Sequence, residues 1–300
     1  MTMRGRAAVA AVLERYGLHP SRALGQNFVV DPATVERIAR LAELTAGQRV
    51  VEIGAGLGAL TVALADTGAL VTAIERDRHL LAPLGEAVEG RNVDILCADA
   101  LRVDWGELCA SAPGEGWSLV ANLPYNIATP LVLGVLERAP AVTTLLVMVQ
   151  REVGLRYVAH VGDEAFGAVS VKIAYFATSE IVGSVSPSVF LPRPRVASVI
   201  VRMRRNSAPA IDPAVASYGA LVRLVNAGFG LRRKMLRGSL AGLVGPAAFA
   251  AARVSPEARA ETLSLDDWGR LAAAVADPAT AQPPADGRDE GATNEETGQR

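Results

Sequence analysis

The stretch VVEIGAGLGALT at residues 50–61 joins an apolar run to three glycines at alternate positions and then to the start of a helical pattern. Glycine lets the backbone turn sharply and approach a ligand that a Cβ atom would block. We therefore predict a buried strand that turns into a helix beside a nucleotide-like ligand. Gly54, Gly56 and Ala59 also satisfy the looser dinucleotide pattern G-x-G-x-x-A, so a nicotinamide enzyme remains one interpretation, and a plain tight turn another.

Short β-branched runs alternate with longer helical patterns on both sides of this stretch. Strands are predicted at residues 49–53, 70–74, 93–97, 118–121 and 143–149, with helices at 59–66, 78–88 and 129–137. Such alternation is typical of an α/β protein with a doubly wound parallel sheet and helices on both faces. Ligands of these sheets bind outside the carboxyl ends of the strands, so functional residues are expected in the turns that follow each strand.

The pattern changes after a last predicted sheet strand at residues 198–203. A linker is predicted at 204–213, followed by helices at 214–227, 231–240, 246–253, 256–260 and 265–276. We therefore expect an α/β domain at residues 1–205 and a small C-terminal helical domain at 206–276. Residues 277–300 are acidic and rich in Pro, Ala, Gly and Thr, and they are predicted to form a disordered tail.

The composition is that of a globular chain of 300 residues, half of them hydrophobic. Two cysteines, Cys97 and Cys109, are too few to crosslink a fold of this size, so we expect a cytoplasmic protein. The longest clean apolar run ends at Gln150 and Arg151, well short of the roughly 18 residues that a membrane span needs. No membrane association is predicted.

The net charge of −1 hides an uneven distribution. Residues 183–254 contain eleven basic residues and one acidic residue, whereas the rest of the chain is acidic. A basic block of this kind attracts a polyanion, of which nucleic acid is the commonest. A solvated basic face is the alternative interpretation, because 28 of the 30 basic residues are arginine, as a biased genome would produce.

Carboxylates follow two further predicted strands. Glu75 lies 21 residues after Gly54, where an acid can accept hydrogen bonds from both ribose hydroxyls of either NAD or S-adenosylmethionine (SAM). Asp99 follows the third strand, where a carboxylate can accept a hydrogen bond from the amine of adenine. Together these turns predict a nucleoside pocket. Glu52, an acid inside an apolar strand, is better explained by SAM than by NAD.

The fourth strand ends in the turn ANLPYN at residues 121–126. The side-chain oxygen of Asn122 and the backbone carbonyl of Leu123 can accept hydrogen bonds from a nucleobase amine. Pro124 stiffens the turn, and Tyr125 offers a flat face on which an extruded base can stack. Direct methyl transfer to nitrogen at such a site requires no metal, because proximity supplies much of the rate. The turn therefore favours SAM over NAD as the cofactor.

With this turn, the chain resembles the small-subunit ribosomal RNA adenine N6,N6-dimethyltransferases over about residues 22–268. The stretch LGQNF at residues 24–28 matches the N-terminal signature of that family, which implies that Asn27 and Val29 lie against SAM. The resemblance also implies a Rossmann-like methyltransferase domain with a C-terminal helical RNA-binding domain. The other SAM contacts that it implies are Gly54, Gly56, Glu75, Asp99 and Asn122.

Two later motifs extend the resemblance. The stretch SPSVFLPRPRV at residues 186–196 matches the family's Phe-x-Pro-x-Pro turn, with Arg195 in place of the usual Lys. The match implies that Phe190 faces the target base opposite Tyr125; a hydrophobic plug under a loop is the alternative interpretation of this residue. The stretch FGLRRKMLRGSL at residues 229–240 matches a basic helix, with Leu231 in place of the usual Gln. Cations that grip phosphates position RNA without reading its sequence. The RNA-binding residues expected are Arg193, Arg195, Arg232, Arg233, Lys234 and Arg237.

The function implied is dimethylation of two adjacent adenosines in a hairpin near the 3′ end of 16S ribosomal RNA, during late assembly of the small subunit. The chain is expected to act as a monomer. A 23S ribosomal RNA adenine-N6 methylase of the erythromycin-resistance type is one alternative, although that family usually has Ile where Leu123 stands. A DNA adenine methylase would more often have Pro there. A ribosome-assembly factor that binds RNA without essential catalysis is another alternative.

Overall fold

The computed structural model describes residues 5–21, 23–110 and 116–276. The predicted acidic tail at 277–300 lies outside the described residues. The described residues contain two short strands and seven longer ones: β1 (Phe28–Val29), β2 (Arg49–Ile53), β3 (Leu70–Glu75), β4 (Val93–Cys97), β5 (Trp117–Asn122), β6 (Val142–Gln150), β7 (Ala177–Val185), β8 (Phe190–Leu191) and β9 (Ser198–Arg205).

The α-helices of the same ranges are α1 (Arg6–Arg15), α2 (Pro32–Leu41), α3 (Ala59–Ala65), α4 (Leu81–Val88), α5 (Trp105–Ala110), α6 (Ala128–Arg138), α7 (Arg151–Val158), α8 (Ala168–Phe176), α9 (Tyr218–Gly230), α10 (Leu236–Ser239), α11 (Pro246–Ala252) and α12 (Leu265–Ala276). None of these described helices is both long and apolar enough to cross a membrane.

The seven longer strands form one sheet in the order β4-β3-β2-β5-β6-β9-β7, while β1 pairs with β8 in a small separate ladder. The first five strands of that order are parallel, as the alternation of strands and helices predicts. The last two run antiparallel to their neighbours. Strand β7 was not predicted, because Ser179, Glu180 and Gly183 interrupt its apolar pattern and a β-bulge divides it.

Helices cover both faces of the sheet, as predicted for a doubly wound fold. Leu119 and Ala121 of β5 point into a core that includes α6, whereas Val120 between them points into a second core that includes α2 and α3. This alternation is the period of two that a strand imposes on its side chains. Because helices cover both faces, a ligand can reach the parallel strands only at their ends, where the polar turns lie.

The C-terminal helices pack around the buried side chains of Leu236, Leu240 and Trp268. The single helix predicted at 231–240 is wrong: α9 ends at Gly230, and α10 begins only at Leu236. In between, Met235 pairs with Arg259 in an isolated β-bridge, which is incompatible with a continuous helix.

One further helix prediction for this part of the chain is wrong. The helix predicted at 256–260 is instead a turn that leads into a short 3-10 helix at Ala260–Thr262. The predicted domain boundary at residue 205 coincides with the end of β9, but Phe166, Val171 and Tyr175 from the first domain pack into the core of the C-terminal helices. Packing therefore crosses that boundary.

Candidate active site

One cavity opens at the carboxyl ends of β2, β3 and β5, where the sheet topology brings their following turns to a common edge. The segment at residues 23–29 lies against the glycine turn and closes the cavity. Ten of the residues predicted for cofactor binding or catalysis line it: Asn27, Val29, Gly54, Gly56, Glu75, Asp99, Asn122, Leu123, Pro124 and Tyr125.

The glycine turn after β2 shapes the floor of this cavity. Gly54 and Gly56 have φ angles of 74° and 59°, a left-handed conformation that glycine adopts without strain. A Cβ atom on Gly56 would lie 3.1 Å from the ring of Phe28. The turn is therefore a cradle that a larger residue would fill.

Glu75 is oriented by the backbone of its own turn and of the glycine turn. Its Oε2 accepts a hydrogen bond from the N–H of Gly56 at 2.8 Å, and its Oε1 accepts one from the N–H of Asp77 at 2.8 Å. Burial raises the pKa of Glu75, and these backbone donors oppose the rise. Each carboxylate oxygen retains a second lone pair that can accept a hydrogen bond from a ligand hydroxyl.

Glu52 is fully buried on β2 and also lines the cavity. Among the described residues, neither its Oε2 nor the hydroxyl of the nearby Thr61 has a hydrogen-bond partner. Burial raises the pKa of Glu52 to about 8, and the charge of Glu75 adds to the rise. The polar hydroxyl of Thr61 close by acts in the opposite direction and lowers this pKa. A buried carboxyl oxygen without a partner, such as this Oε2, is unfavourable unless a ligand satisfies it.

Asp99 lies after β4, beyond Glu75, in the same cavity. Its Oδ1 accepts a hydrogen bond from the N–H of Leu101 at 3.1 Å, and its Oδ2 lies 3.3 Å from the Nη1 of Arg76. The carboxylate is mostly buried, whereas the guanidinium of Arg76 is largely exposed. Asp99 is therefore held at the end of the cavity that the sequence assigns to the adenine ring.

Asn122 ends β5 and turns its side chain toward the segment that closes the cavity. Its Nδ2 donates a hydrogen bond to the backbone carbonyl of Asn27 at 2.9 Å. This hydrogen bond uses one of the two N–H groups of Nδ2 and orients the amide, so the amide oxygen, the acceptor of Asn122, remains available to a ligand. The turn itself is fixed by hydrogen bonds from the N–H of Leu123 to the carbonyl of Met148 and from the N–H of Ile127 to the carbonyl of Pro124, both at 3.1 Å.

Phe190 does not lie where the sequence analysis expected it. Its side chain is 0% exposed and packs with Val29, Val185 and Ile200 in the core beneath the cavity. Pairing of β8 with β1 sets Phe190 opposite Val29, and burial of an aromatic ring among these side chains is strongly favourable. The ring therefore does not form a sandwich with Tyr125 in this structure.

The six basic residues predicted to bind RNA are all exposed, but they differ in their partners. Arg232 forms an ion pair with Glu261 at 2.8 Å, and Arg237 lies 3.6 Å from Glu257. Arg233 and Lys234 lie between them in the turn that interrupts the predicted helix, and Arg193 and Arg195 lie in the loop before β9.

Part of the basic segment serves the fold. Arg202 is mostly buried and pairs with Glu43 and Glu180. Arg205 donates hydrogen bonds to the backbone carbonyls of Leu136 in the last turn of α6 and of Val142 at the start of β6, both at 2.9 Å. The charge available to a polyanion is thus smaller than the count of basic residues.

Several residues of the site were missed because no local pattern marks them. Gln26 donates a hydrogen bond to Asp77 at 2.8 Å and so ties the N-terminal segment to the turn after β3. Val9 of α1 reaches the cavity, and Arg6 donates to the carbonyl of Phe190 at 3.1 Å. Only contacts across long sequence separations identify these residues.

Two other observations delimit the site. A second cavity of about 520 Å³ lies between α2 and α3, but Val29 is the only predicted site residue in its lining. No group of three or more His, Cys, Asp or Glu side chains suited to a metal ion occurs in the part of the chain that the structure describes.

Comparison with known proteins adds independent findings. The family model for ribosomal RNA adenine dimethylase matches residues 19–277. The chain is 40% identical over 283 residues to ribosomal RNA small subunit methyltransferase A of Bifidobacterium adolescentis, covering 90% of this chain and 93% of the relative. It is 42% identical over 285 residues to the protein of the same name from Cutibacterium acnes, with the same coverage of both chains.

Solved structures are similar over most of the chain. The 23S rRNA methyltransferase ErmE has a TM-score of 0.64 and 28% identity, covering 83% of this chain and 100% of that one. A dimethyladenosine transferase from Plasmodium falciparum has a TM-score of 0.66 and 23% identity, covering 80% and 94%. The second similarity is one of fold.

Proposed function

Because the chain belongs to the ribosomal RNA adenine dimethylase family, we propose that it transfers methyl groups from SAM to the N6 atoms of adenosines in small-subunit ribosomal RNA. The finer proposal is that it modifies two adjacent adenosines in a hairpin near the 3′ end of 16S RNA, each of them twice, late in subunit assembly. The observation that carries the proposal is the orientation of Asn122, whose amide oxygen is left for a ligand at the cavity of the glycine turn.

The residues present fit SAM. The glycine cradle leaves room where a Cβ atom on Gly56 would crowd Phe28, and the carboxylates of Glu75 and Asp99 suit a ribose and an adenine amine. The unpartnered Oε2 of Glu52 suits the positively charged methionine end of SAM. When bound, SAM supplies an electrophilic methyl group on a sulfonium.

The chain's own residues prepare the amine of the target base. That amine is a poor nucleophile, because its lone pair is delocalised into the ring. The amide oxygen of Asn122 and the backbone carbonyl of Leu123 would each accept a hydrogen bond from an N–H of the amine. These two hydrogen bonds would hold the amine so that its lone pair points at the methyl group. Positioning of this kind supplies much of the rate in a direct transfer. Tyr125 would support the face of the base.

Exposed cations on both domains would hold the RNA. Arg193 and Arg195 lie in the loop before β9, and Arg233 and Lys234 lie in the turn between α9 and α10. Contacts of this type bind phosphates without reading sequence, which suits a substrate recognised by its place in an assembling subunit. We also propose that the protein acts as a cytoplasmic monomer.

The relatives favour the small subunit over the large one as the substrate. The relatives named for small-subunit RNA are 40% and 42% identical, whereas ErmE, named for 23S RNA, is 28% identical. The test is to supply methyl-labelled SAM with unmethylated small subunits, large-subunit RNA and DNA in separate reactions. Label in the small-subunit RNA supports the proposal, and label only in large-subunit RNA or DNA overturns it.

A further inference from the structure

A buried serine lies at the start of β9, next to the candidate active site. Ser198 is 0% exposed and is followed by Val199, Ile200 and Val201, which are buried to the same degree. A hydroxyl in such apolar surroundings is unfavourable unless it has a hydrogen-bond partner. Its partner is the phenol oxygen of Tyr125, 73 residues away in sequence, at 3.0 Å.

This hydrogen bond fixes the far end of the Tyr125 ring. The near end is already fixed, because backbone hydrogen bonds of Leu123 and Ile127 hold the turn in place. A tyrosine side chain has only two rotatable bonds between its backbone and its ring. With both ends held, the long axis of the ring, which runs from Cβ to the phenol oxygen, has one direction, and χ1 is confined to one rotamer.

Ser198 is itself held rigidly. It pairs with Gln150 of β6 on one side and with Val185 of β7 on the other. A serine inside a sheet cannot follow a ring that shifts, as a residue in a loop could. The hydroxyl is therefore a fixed reference point for the tyrosine.

We propose that Ser198 is a positioning residue for methyl transfer: its hydroxyl fixes the position and the long axis of the Tyr125 ring, against which the target adenine stacks. The inference rests on the proposed function, because it assigns Ser198 to that same site. Ser198 does not touch the reacting atoms and acts only through Tyr125.

A double-mutant cycle tests the proposal by single-turnover methyl transfer. We expect S198A and Y125F each to lower the rate about tenfold, because each removes the same hydrogen bond, and the double variant S198A/Y125F to be within about twofold of either single variant. The affinity for SAM is expected to be unchanged in all three. Independent effects that multiply to about a hundredfold, or a wild-type rate in either single variant, would overturn the proposal.

A second buried serine provides the matched control. Ser118 on β5 is also buried and accepts a hydrogen bond from Gln48, so S118A removes a buried hydroxyl from the same sheet without touching Tyr125. We expect S118A to transfer methyl groups at the wild-type rate; a loss equal to that of S198A would indicate a general effect on the sheet. If S198A does not fold, Y125F removes the same hydrogen bond at the half-buried Tyr125. A wild-type rate of methyl transfer in Y125F would then overturn the proposal.

A crystal structure of S198A separates this inference from the proposed function. We expect the long axis of the Tyr125 ring to shift or to occupy more than one χ1 rotamer while the turn backbone stays in place, whatever RNA the enzyme methylates. An unchanged ring would overturn the positioning role. Failure of the wild-type protein to methylate small-subunit RNA would instead count against the proposed function alone.

Discussion

The side-chain amide of Asn122 donates a hydrogen bond to the backbone carbonyl of Asn27 at 2.9 Å, across 95 residues of sequence. This hydrogen bond joins the turn proposed to bind the target base to the segment that closes the cofactor cavity. It also decides which end of the Asn122 amide faces a ligand. The orientation of the proposed catalytic amide is thus coupled to the position of the segment at residues 23–29.

Replacement of Asn122 by alanine removes the proposed acceptor of the target amine. We expect N122A to lower single-turnover methyl transfer at least a hundredfold, while its affinity for small-subunit RNA stays within about twofold of wild type. Filter binding and label transfer measure the two quantities. N92A, at an exposed asparagine after α4, is the control and should behave as wild type. A parallel loss of RNA affinity in N122A would contradict the assigned role.

Replacement of Gly56 by alanine would fill the glycine cradle. We expect G56A to weaken SAM binding at least tenfold in calorimetry, because the new Cβ atom would crowd Phe28 at the cavity floor. Gly17 has nearly the same positive φ, 63°, but open space around it, so G17A shares the backbone strain without the crowding. Equal SAM affinities in the two variants would show that the cradle is not the cofactor site.

The raised pKa of Glu52 predicts that the stability of the folded protein depends on pH. Its pKa is raised to about 8 in the folded protein and is near 4.3 in an unfolded chain. The unfolded state therefore loses this proton first, so the contribution of Glu52 to stability falls as pH rises from about 4.5 to 8. The slope is at most about 1.4 kcal/mol per pH unit.

The isosteric variant E52Q cannot ionise and isolates this effect. In urea unfolding without ligand, we expect the stability of E52Q relative to wild type to increase steadily between pH 5 and pH 8 and to level off above that. A difference that does not change with pH would mean that Glu52 is already ionised in the folded protein.

Phe190 is expected to contribute to stability through its burial rather than by stacking on a base. F190A should lose about 3–5 kcal/mol, as truncations of buried aromatic residues do. F190L keeps most of the volume and should lose less than about 1.5 kcal/mol, with methyl transfer within about threefold of wild type. A stable F190L protein that has lost transfer a hundredfold would mean that the ring leaves the core to meet the base.

Arg233 and Lys234 are expected to bind phosphates. Because each neutralised phosphate releases condensed counterions, R233A/K234A should weaken RNA binding and flatten its dependence on salt concentration, by a slope of about one for each phosphate that the variant no longer neutralises. R232A removes a cation that is already paired with Glu261 and should change the slope less. Equal changes in the two variants would contradict this assignment.

That the turns after β2, β3 and β5 line one cavity was largely predictable from sequence, for a topological reason. Parallel strands end at one edge of the sheet, so turns that are marked locally, such as those of Gly54, Glu75 and Asn122, meet without further information. The long-range contacts were not predictable. The sequence around Ser198 does not indicate that its hydroxyl forms a hydrogen bond with Tyr125. The sequence around Arg205 likewise does not indicate that its guanidinium donates hydrogen bonds to carbonyls of α6.

Phe190 and the basic turn show the limits of motif transfer. The motif around Phe190 specifies an aromatic ring, but the pairing of β8 with β1 decides that it is buried. The spacing at residues 231–240 suits a helix, but the β-bridge between Met235 and Arg259 breaks it. In both cases a tertiary contact overrides a local preference.

The identity of the nucleoside formed on small-subunit RNA tests the proposed dimethylation most directly. Purified protein, methyl-labelled SAM and unmethylated small subunits are incubated, and the RNA is digested to nucleosides for mass spectrometry. We expect N6,N6-dimethyladenosine at two adjacent positions near the 3′ end of the RNA. Monomethyladenosine as the final product, or unmodified small-subunit RNA beside methylated large-subunit RNA, would contradict it.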